Sequence, residues 1–247
     1  MPRRDVPPSP RPPDGLLERA VDATGGRLAA IGLALGSRLR GRRAFHPRGE
    51  VLHATLVVTP SRPVGARLLD EPAEHRCTVR LSRGVGLLAS VPDVLGVALS
   101  VSAGERTQDL LFATILAGDG PGRHLLAPAR SFADRPYATL FPDAAARGRV
   151  HLLLQPLAAA GDRLLDRPEA AAAALASGEL SFDLQVRADG ETTPVGCVTG
   201  GRLEAPGDGG AIRFNPFRAA DDLRPVGLLN ALRHRACAVS QAARPDG

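Results

Sequence analysis

The chain has 247 residues, 44% of them hydrophobic, which is enough for one large domain or two small ones, with a sizeable core. Aromatic residues make up only 3%, so that core must be built mainly from Leu, Val and Ala. The formal charge of +5 rests on 31 basic residues, all arginine; they are scattered, without aromatic platforms or a base-reading helix, which argues against a nucleic-acid partner.

Residues 1–14 carry six prolines and read as an extended, unstructured tail. From 15 to 43 the chain reads as helix. Leu16, Leu17, Ala20 and Val21 recur at helical spacing, Gly25-Gly26 interrupts, and Leu28, Ile31, Leu35 and Leu39 resume. Arg38, Arg40, Arg42 and Arg43 crowd the C-terminal end of this helix, where its dipole favours cations. From residue 50 to 205 the signal changes to strands. The runs 51–59, 77–82, 96–101, 109–115, 149–154, 180–186 and 195–203 are apolar or β-branched, and Gly, Pro and Asp punctuate them. Many short strands with such punctuation predict a barrel or sandwich.

One helix interrupts the strands at 168–177. Pro168 suits its first turn, Glu169 its positive end, Ala170 to Ala174 favour helix, and Gly178 ends it. Residues 225–243 are expected as a final helix, with Leu228, Leu229, Leu232 and Ala236 on one face. Gly118 to Gly122 and Gly207 to Gly210 read as tight turns, and Asp221-Asp222 as a turn or helix start. Cys77, Cys197 and Cys237 are far apart and odd in number, which indicates neither a zinc site nor a disulfide framework. No run approaches the roughly 18 apolar residues of a membrane span. The N-terminal arginines adjoin no apolar run, so a secretory signal is not expected and the cytoplasm is the expected location.

Four segments carry a more specific signal: Phe45-His46-Pro47-Arg48-Gly49, Val79-Arg80-Leu81-Ser82, Pro92-Asp93-Val94-Leu95-Gly96-Val97-Ala98 and Gln108-Asp109-Leu110-Leu111. In that order and spacing they resemble the core of the haem catalases. Phe214-Asn215-Pro216 and residues 232–244 resemble that family's Phe-x-Pro and proximal helix. The resemblance implies a mainly β fold, an antiparallel barrel with flanking N- and C-terminal helices, in a single domain over 15–247. It also implies haem as cofactor between barrel and helix.

Residue by residue, His46 matches the distal histidine, whose imidazole moves a proton between the oxygens of peroxide. Ser82 matches the serine that orients that histidine. Thr114 falls at the second asparagine of the distal pocket. Arg80 matches an arginine that pairs with a haem propionate. Arg235 matches an arginine one helical turn before the axial tyrosine, and Val239 falls at the tyrosine itself. Valine cannot bind iron. Leu95 falls at a further family arginine. His234 and Cys237 are chemically able ligands, but they lie about 140° and 160° around the helix from position 239.

Three readings follow. The first is a divergent haem protein with residual peroxide or organic-hydroperoxide oxidoreductase chemistry. It would use His46, Ser82 and Thr114 catalytically, with Arg80, Arg235 and Val239 around the cofactor. The second is a haem-free binding or structural module on the same barrel, with a small-molecule ligand. The third is a phosphodiesterase, because His53-Ala54-Thr55-Leu56 fits the His-x-Thr-x signature of two-histidine phosphoesterases. That chemistry needs a second such motif, and His151 and His234 lack the required Thr or Ser. An oligomer is left open.

Overall fold

The computed structural model describes residues 48–84, 91–103, 106–116, 125–139, 142–158, 165–203, 214–215 and 218–226. The expected tail at 1–14, the helix at 15–43, His46, Arg235 and Val239 lie outside these residues. In chain order the elements are β1 (Arg48–Val58), α1 (Arg67–Asp70), β2 (Ala73–Arg83), β3 (Leu95–Ala103), β4 (Arg106–Thr114), β5 (Tyr137–Ala138) and β6 (Asp143–Ala145). They continue with β7 (Gly148–Ala158), α2 (Pro168–Ser177), β8 (Leu180–Ala188), β9 (Glu191–Leu203) and β10 (Arg224–Pro225).

Alternation makes the strands. In β8, Leu180, Phe182, Leu184 and Val186 are buried, while the residues between them are half-exposed. Leu52, Leu56, Val79, Leu81, Leu99 and Leu154 do the same on neighbouring strands, each with at most 1% exposure. Burying one such side chain stabilises by about 1.5–3 kcal/mol. Every ladder is antiparallel, in the order β7-β5-β4-β3-β2-β1-β9-β8, and β7 also pairs with β8. The sheet therefore closes into an eight-stranded barrel whose inward side chains form the core. β6 and β10 extend from β7 beyond the closure. Within the core the Tyr137 and Phe182 rings meet edge to face, with centroids 5.8 Å apart at 87°.

Helix α2 forms as its sequence predicts, with Pro168 in the first turn and Gly178 closing it in the left-handed conformation at φ 82°. Ala171, Ala172, Ala174 and Leu175 join the barrel's own core cluster, and the helix packs against β1, β9, β8 and β2. Arg83, the last residue of β2 and 4% exposed, anchors this end of the barrel. One of its terminal nitrogens donates to the Asp166 carbonyl at 2.6 Å, just before α2, and the other donates to the Val91 carbonyl. Its Nε faces the buried Asp93 carboxylate at 3.8 Å. The Asp93 backbone in turn exchanges hydrogen bonds of 3.0 and 2.9 Å with Ala129.

The seven strand runs read from the sequence all appear, as β1 to β4 and β7 to β9. The start of the expected C-terminal helix does not. Pro225 belongs to β10, opposite Asp143, and Val226 donates to the Pro142 carbonyl at 3.1 Å. Proline lacks an N–H, which an edge strand tolerates. Residues from 227 onward lie outside those described.

The Arg83–Asp93 pair yields a stability prediction. Arg83→Met, which leaves the Asp93 charge buried, should lower unfolding free energy by about 3–5 kcal/mol in urea titrations. The double variant Arg83→Met/Asp93→Leu should recover part of that loss. A double variant as weak as the single one would show that the arginine's carbonyl contacts, rather than the ion pair, set the cost.

Candidate functional site

Residues directly opposite in an antiparallel ladder point to the same side of the sheet, so the register maps the outer surface. Across β1, β2, β3 and β4 one outward row runs Gly49, Ser82, Gly96, Ala113. The next runs Val51, Arg80, Ala98, Leu111. Val51, Ser82 and Gly96 are buried, and Arg80, Ala98, Leu111 and Ala113 half-buried, so this patch is sheltered from water. The Arg80 side chain lies against Gly49: a Cβ there would sit 3.0 Å from Arg80 Nε and 3.0 Å from the Ser82 Cβ. Glycine at 49 is thus what lets Arg80 lean toward the beginning of β1, which leads back to His46. Ser82 Oγ is 3.4 Å from the Gly96 carbonyl, to which it donates.

Arg80 and Ser82 therefore share one outward face. Thr114 is not brought to them. It stands opposite Tyr137 in the β4–β5 ladder and points inward with Phe112 and Leu110. Its hydroxyl donates to the Ala127 carbonyl at 2.6 Å and accepts from the Leu95 N–H at 3.1 Å. The β4 residue that shares the Ser82 face is Ala113, whose methyl group offers no hydrogen bond. A one-residue step in a strand reverses the face, and the inward series Gln108, Leu110, Phe112, Thr114 was the signal that could have shown it.

No family model matches this chain, and no curated protein matches it. Among solved structures a fungal catalase covers 98% of the chain with TM-score 0.58 at 15% identity. A bacterial catalase covers 98% with TM-score 0.59 at 15%, and catalase A from Saccharomyces cerevisiae covers 97% with TM-score 0.59 at 13%. The fold is catalase-like. The likeness is one of fold, and the chain spans 66%, 63% and 68% of those three chains respectively.

A haem of the kind this catalase-like resemblance implies requires a phenolate on the iron and a cation for its propionates. Arg80 suits the second requirement. The first fails. Tyr137 is the only tyrosine in the chain, and it is fully buried in the barrel with its hydroxyl donating to the Phe132 carbonyl at 2.9 Å. Burial holds that hydroxyl well above its ordinary pKa, and Asp134 adds to the effect. The residues present do not fit a tyrosinate-ligated haem. Burial also pushes the Cys77 thiol up to about 12 and raises that of Cys197, so neither is poised as a thiolate. His234 and Cys237 lie outside the described residues. Among the described residues no group of three or more His, Cys, Asp or Glu could hold a metal ion, and no helix is long and apolar enough to cross a membrane.

A further contact joins two of the segments that carried the resemblance. β5 is two residues long and meets β4 only at Ala113 and Thr114, so β5 leaves most of that edge of β4 uncovered. The chain near residues 214–220 fills it. The Asp109 N–H donates to the Arg218 carbonyl at 2.8 Å, the Asn215 N–H to the Asp109 carboxylate at 2.7 Å, and the Ala220 N–H to Gln108 Oε1 at 2.6 Å. The Asp221 carboxylate pairs with Arg106, and that of Asp222 accepts from the Arg67 N–H at 2.7 Å. The Asp109 side chain is fully buried, with Arg218 3.7 Å away. Burial raises its carboxyl above the ordinary range, against the lowering effects of the Asn215 N–H, the Ser100 hydroxyl and Arg218.

Two measurements test this anatomy. Thr114→Val should cost about 1–3 kcal/mol, because it strands the Leu95 N–H and the Ala127 carbonyl. Asp109→Asn tests the buried carboxyl. Its folded pKa lies above the unfolded one, so the wild type gains stability as pH falls from neutrality through the raised value toward the ordinary carboxylate range. It loses that gain as pH rises again. The Asn variant lacks this response, so the stability difference should move in favour of wild type on acidification. A difference independent of pH would refute the assignment.

Proposed function

We propose that this chain is a haem-free binding protein built on the catalase-like barrel, and that it does not perform catalase turnover. The observation that carries this reading is Tyr137. The chain's sole tyrosine is a core residue with its hydroxyl given to a backbone carbonyl. The valine at 239, where the family resemblance calls for the axial tyrosine, agrees with it. Ala113 on the Ser82 face, where a polar pocket residue would stand, supports it further. The ligand face is the sheltered floor of Gly49, Val51, Gly96, Ala98 and Ala113. The small side chains there suit a flat, largely apolar small molecule, with Arg80 at its edge for an acidic group.

A second reading keeps haem with residual peroxide or organic-hydroperoxide chemistry. The shared face of Arg80 and Ser82, at the end of the strand that leads back to His46, favours it. In that case bound haem would supply the redox chemistry. Arg80 would hold an acidic edge group, and His46, oriented by Ser82, would move the proton.

Absorption spectra during a haemin titration separate the two. The binding-protein reading expects no sharp, saturable Soret band, and peroxide consumption equal to that of haemin alone in both wild type and His46→Ala. A sharp Soret band in wild type, with peroxide consumption abolished in His46→Ala, would overturn it in favour of the second reading.

A further inference from the structure

The outer surface bears a second cluster, further along β1 and β2. It depends on an irregularity in β9. Thr55 stands opposite Thr199, and His53 opposite Arg202. Between these pairs β1 has one residue, Ala54, while β9 has two, Gly200 and Gly201. This is a β-bulge, and both glycines have positive φ, 63° and 149°. A Cβ on Gly201 would lie 2.5 Å from the His53 carbonyl oxygen, so this position accepts only glycine. Continued without the bulge, the register set by Thr55 and Thr199 would place Arg202 opposite Leu52, toward the core. The extra residue turns Arg202 outward beside His53 instead.

On the other side of β1, His53 faces Thr78, with Thr78 Oγ1 and His53 Nδ1 3.4 Å apart. Thr55 faces Arg76. Arg202 from β9 and Arg76 from β2 therefore flank a strip made of His53, Thr55 and Thr78. His53, Arg76 and Arg202 are exposed, and the two threonines half-buried. Among the described residues, none directly opposite His53 or next to it on this face is acidic. Glu74 lies one step beyond Arg76 along β2, and Asp109 is buried and bonded to the Asn215 N–H.

We infer that this face binds the phosphate group of a small molecule, as free phosphate or as a phosphate monoester. Two planar guanidinium forks, two hydroxyls and an imidazole stand at neighbouring ladder positions of three adjacent strands. They present donors in several directions, which suits a tetrahedral dianion better than a planar carboxylate. The role is binding and not hydrolysis. A two-histidine mechanism needs a partner imidazole across the site, whereas His75 stands opposite the core residue Leu56 and His151 lies on β7. None of these residues belongs to the Arg80 and Ser82 patch, so the inference stands whether or not haem binds.

The test is an NMR titration of the full chain, reading the His53 ring resonances with inorganic phosphate, a nucleoside 5′-monophosphate, a short oligonucleotide and acetate. The expected result is a saturable shift with phosphate and with the monophosphate. Affinity should fall at least about tenfold in Arg76→Gln and in Arg202→Gln, both exposed substitutions that should leave the melting temperature unchanged. Tighter binding of the monophosphate identifies an ester ligand, and equal binding the free anion. Acetate acting as well as phosphate, or affinity unchanged in both arginine variants, would overturn the inference. So would a response to an oligonucleotide alone, which would assign the face to a polymeric backbone.

Discussion

Closure of the sheet is the constraint on which everything else rests. Once β7 pairs with both β5 and β8, each strand residue has only two environments, and its neighbour in sequence has the other. The inward set is mainly Leu, Val and Phe with one tyrosine, and it provides the stability. The outward set is where Arg80, Ser82, His53 and Arg202 stand. Thr114 and Ala113 show how sharp the division is. One residue separates a hydroxyl used inside the barrel wall from a methyl group on the outer face.

The buried polar groups serve as fasteners. Arg83 spans from β2 to the segments before β3 and before α2, and its partner Asp93 is fixed by the bridge to Ala129. Asp109 does the corresponding work for the chain near residue 215. In both cases a charge is buried where its partners arrive from distant parts of the sequence, so the cost of desolvation is offset only when the whole arrangement has formed. Tyr137 is the neutral counterpart. Its ring packs against Phe182 and its hydroxyl closes the loop at Phe132, which occupies the one side chain in the chain that could have become a phenolate.

Much of this was legible in the sequence because it rests on period and punctuation. Apolar runs between Gly, Pro and Asp marked the long strands, and Pro168 with Gly178 bounded α2. The motifs around Gly49, Arg80 and Ser82 pointed to a catalase-like barrel at an identity to known catalases of only 13% to 15%. The short elements were not legible. α1, β5, β6 and β10 have four residues or fewer, too few to show any periodicity, and they form because long-range partners are already in place. The face of Thr114 was missed because motif matching counts positions and ignores the alternation that decides which side of a wall a residue occupies. The setting of Arg202 was beyond reach for a related reason: a bulge changes the phase of a strand, and Gly200-Gly201 reads equally well as a loop.

The two-residue β5 has a consequence for how the molecule is made. Part of the barrel wall beside β4 is supplied by a segment more than a hundred residues downstream, so the wall cannot be completed until that segment has left the ribosome. Until then β4 presents an unpaired edge next to a hydrophobic core, the arrangement most prone to pairing with another chain. A chain lacking the segment that holds Asn215, Arg218 and Ala220 would therefore have its strands formed and its seam open.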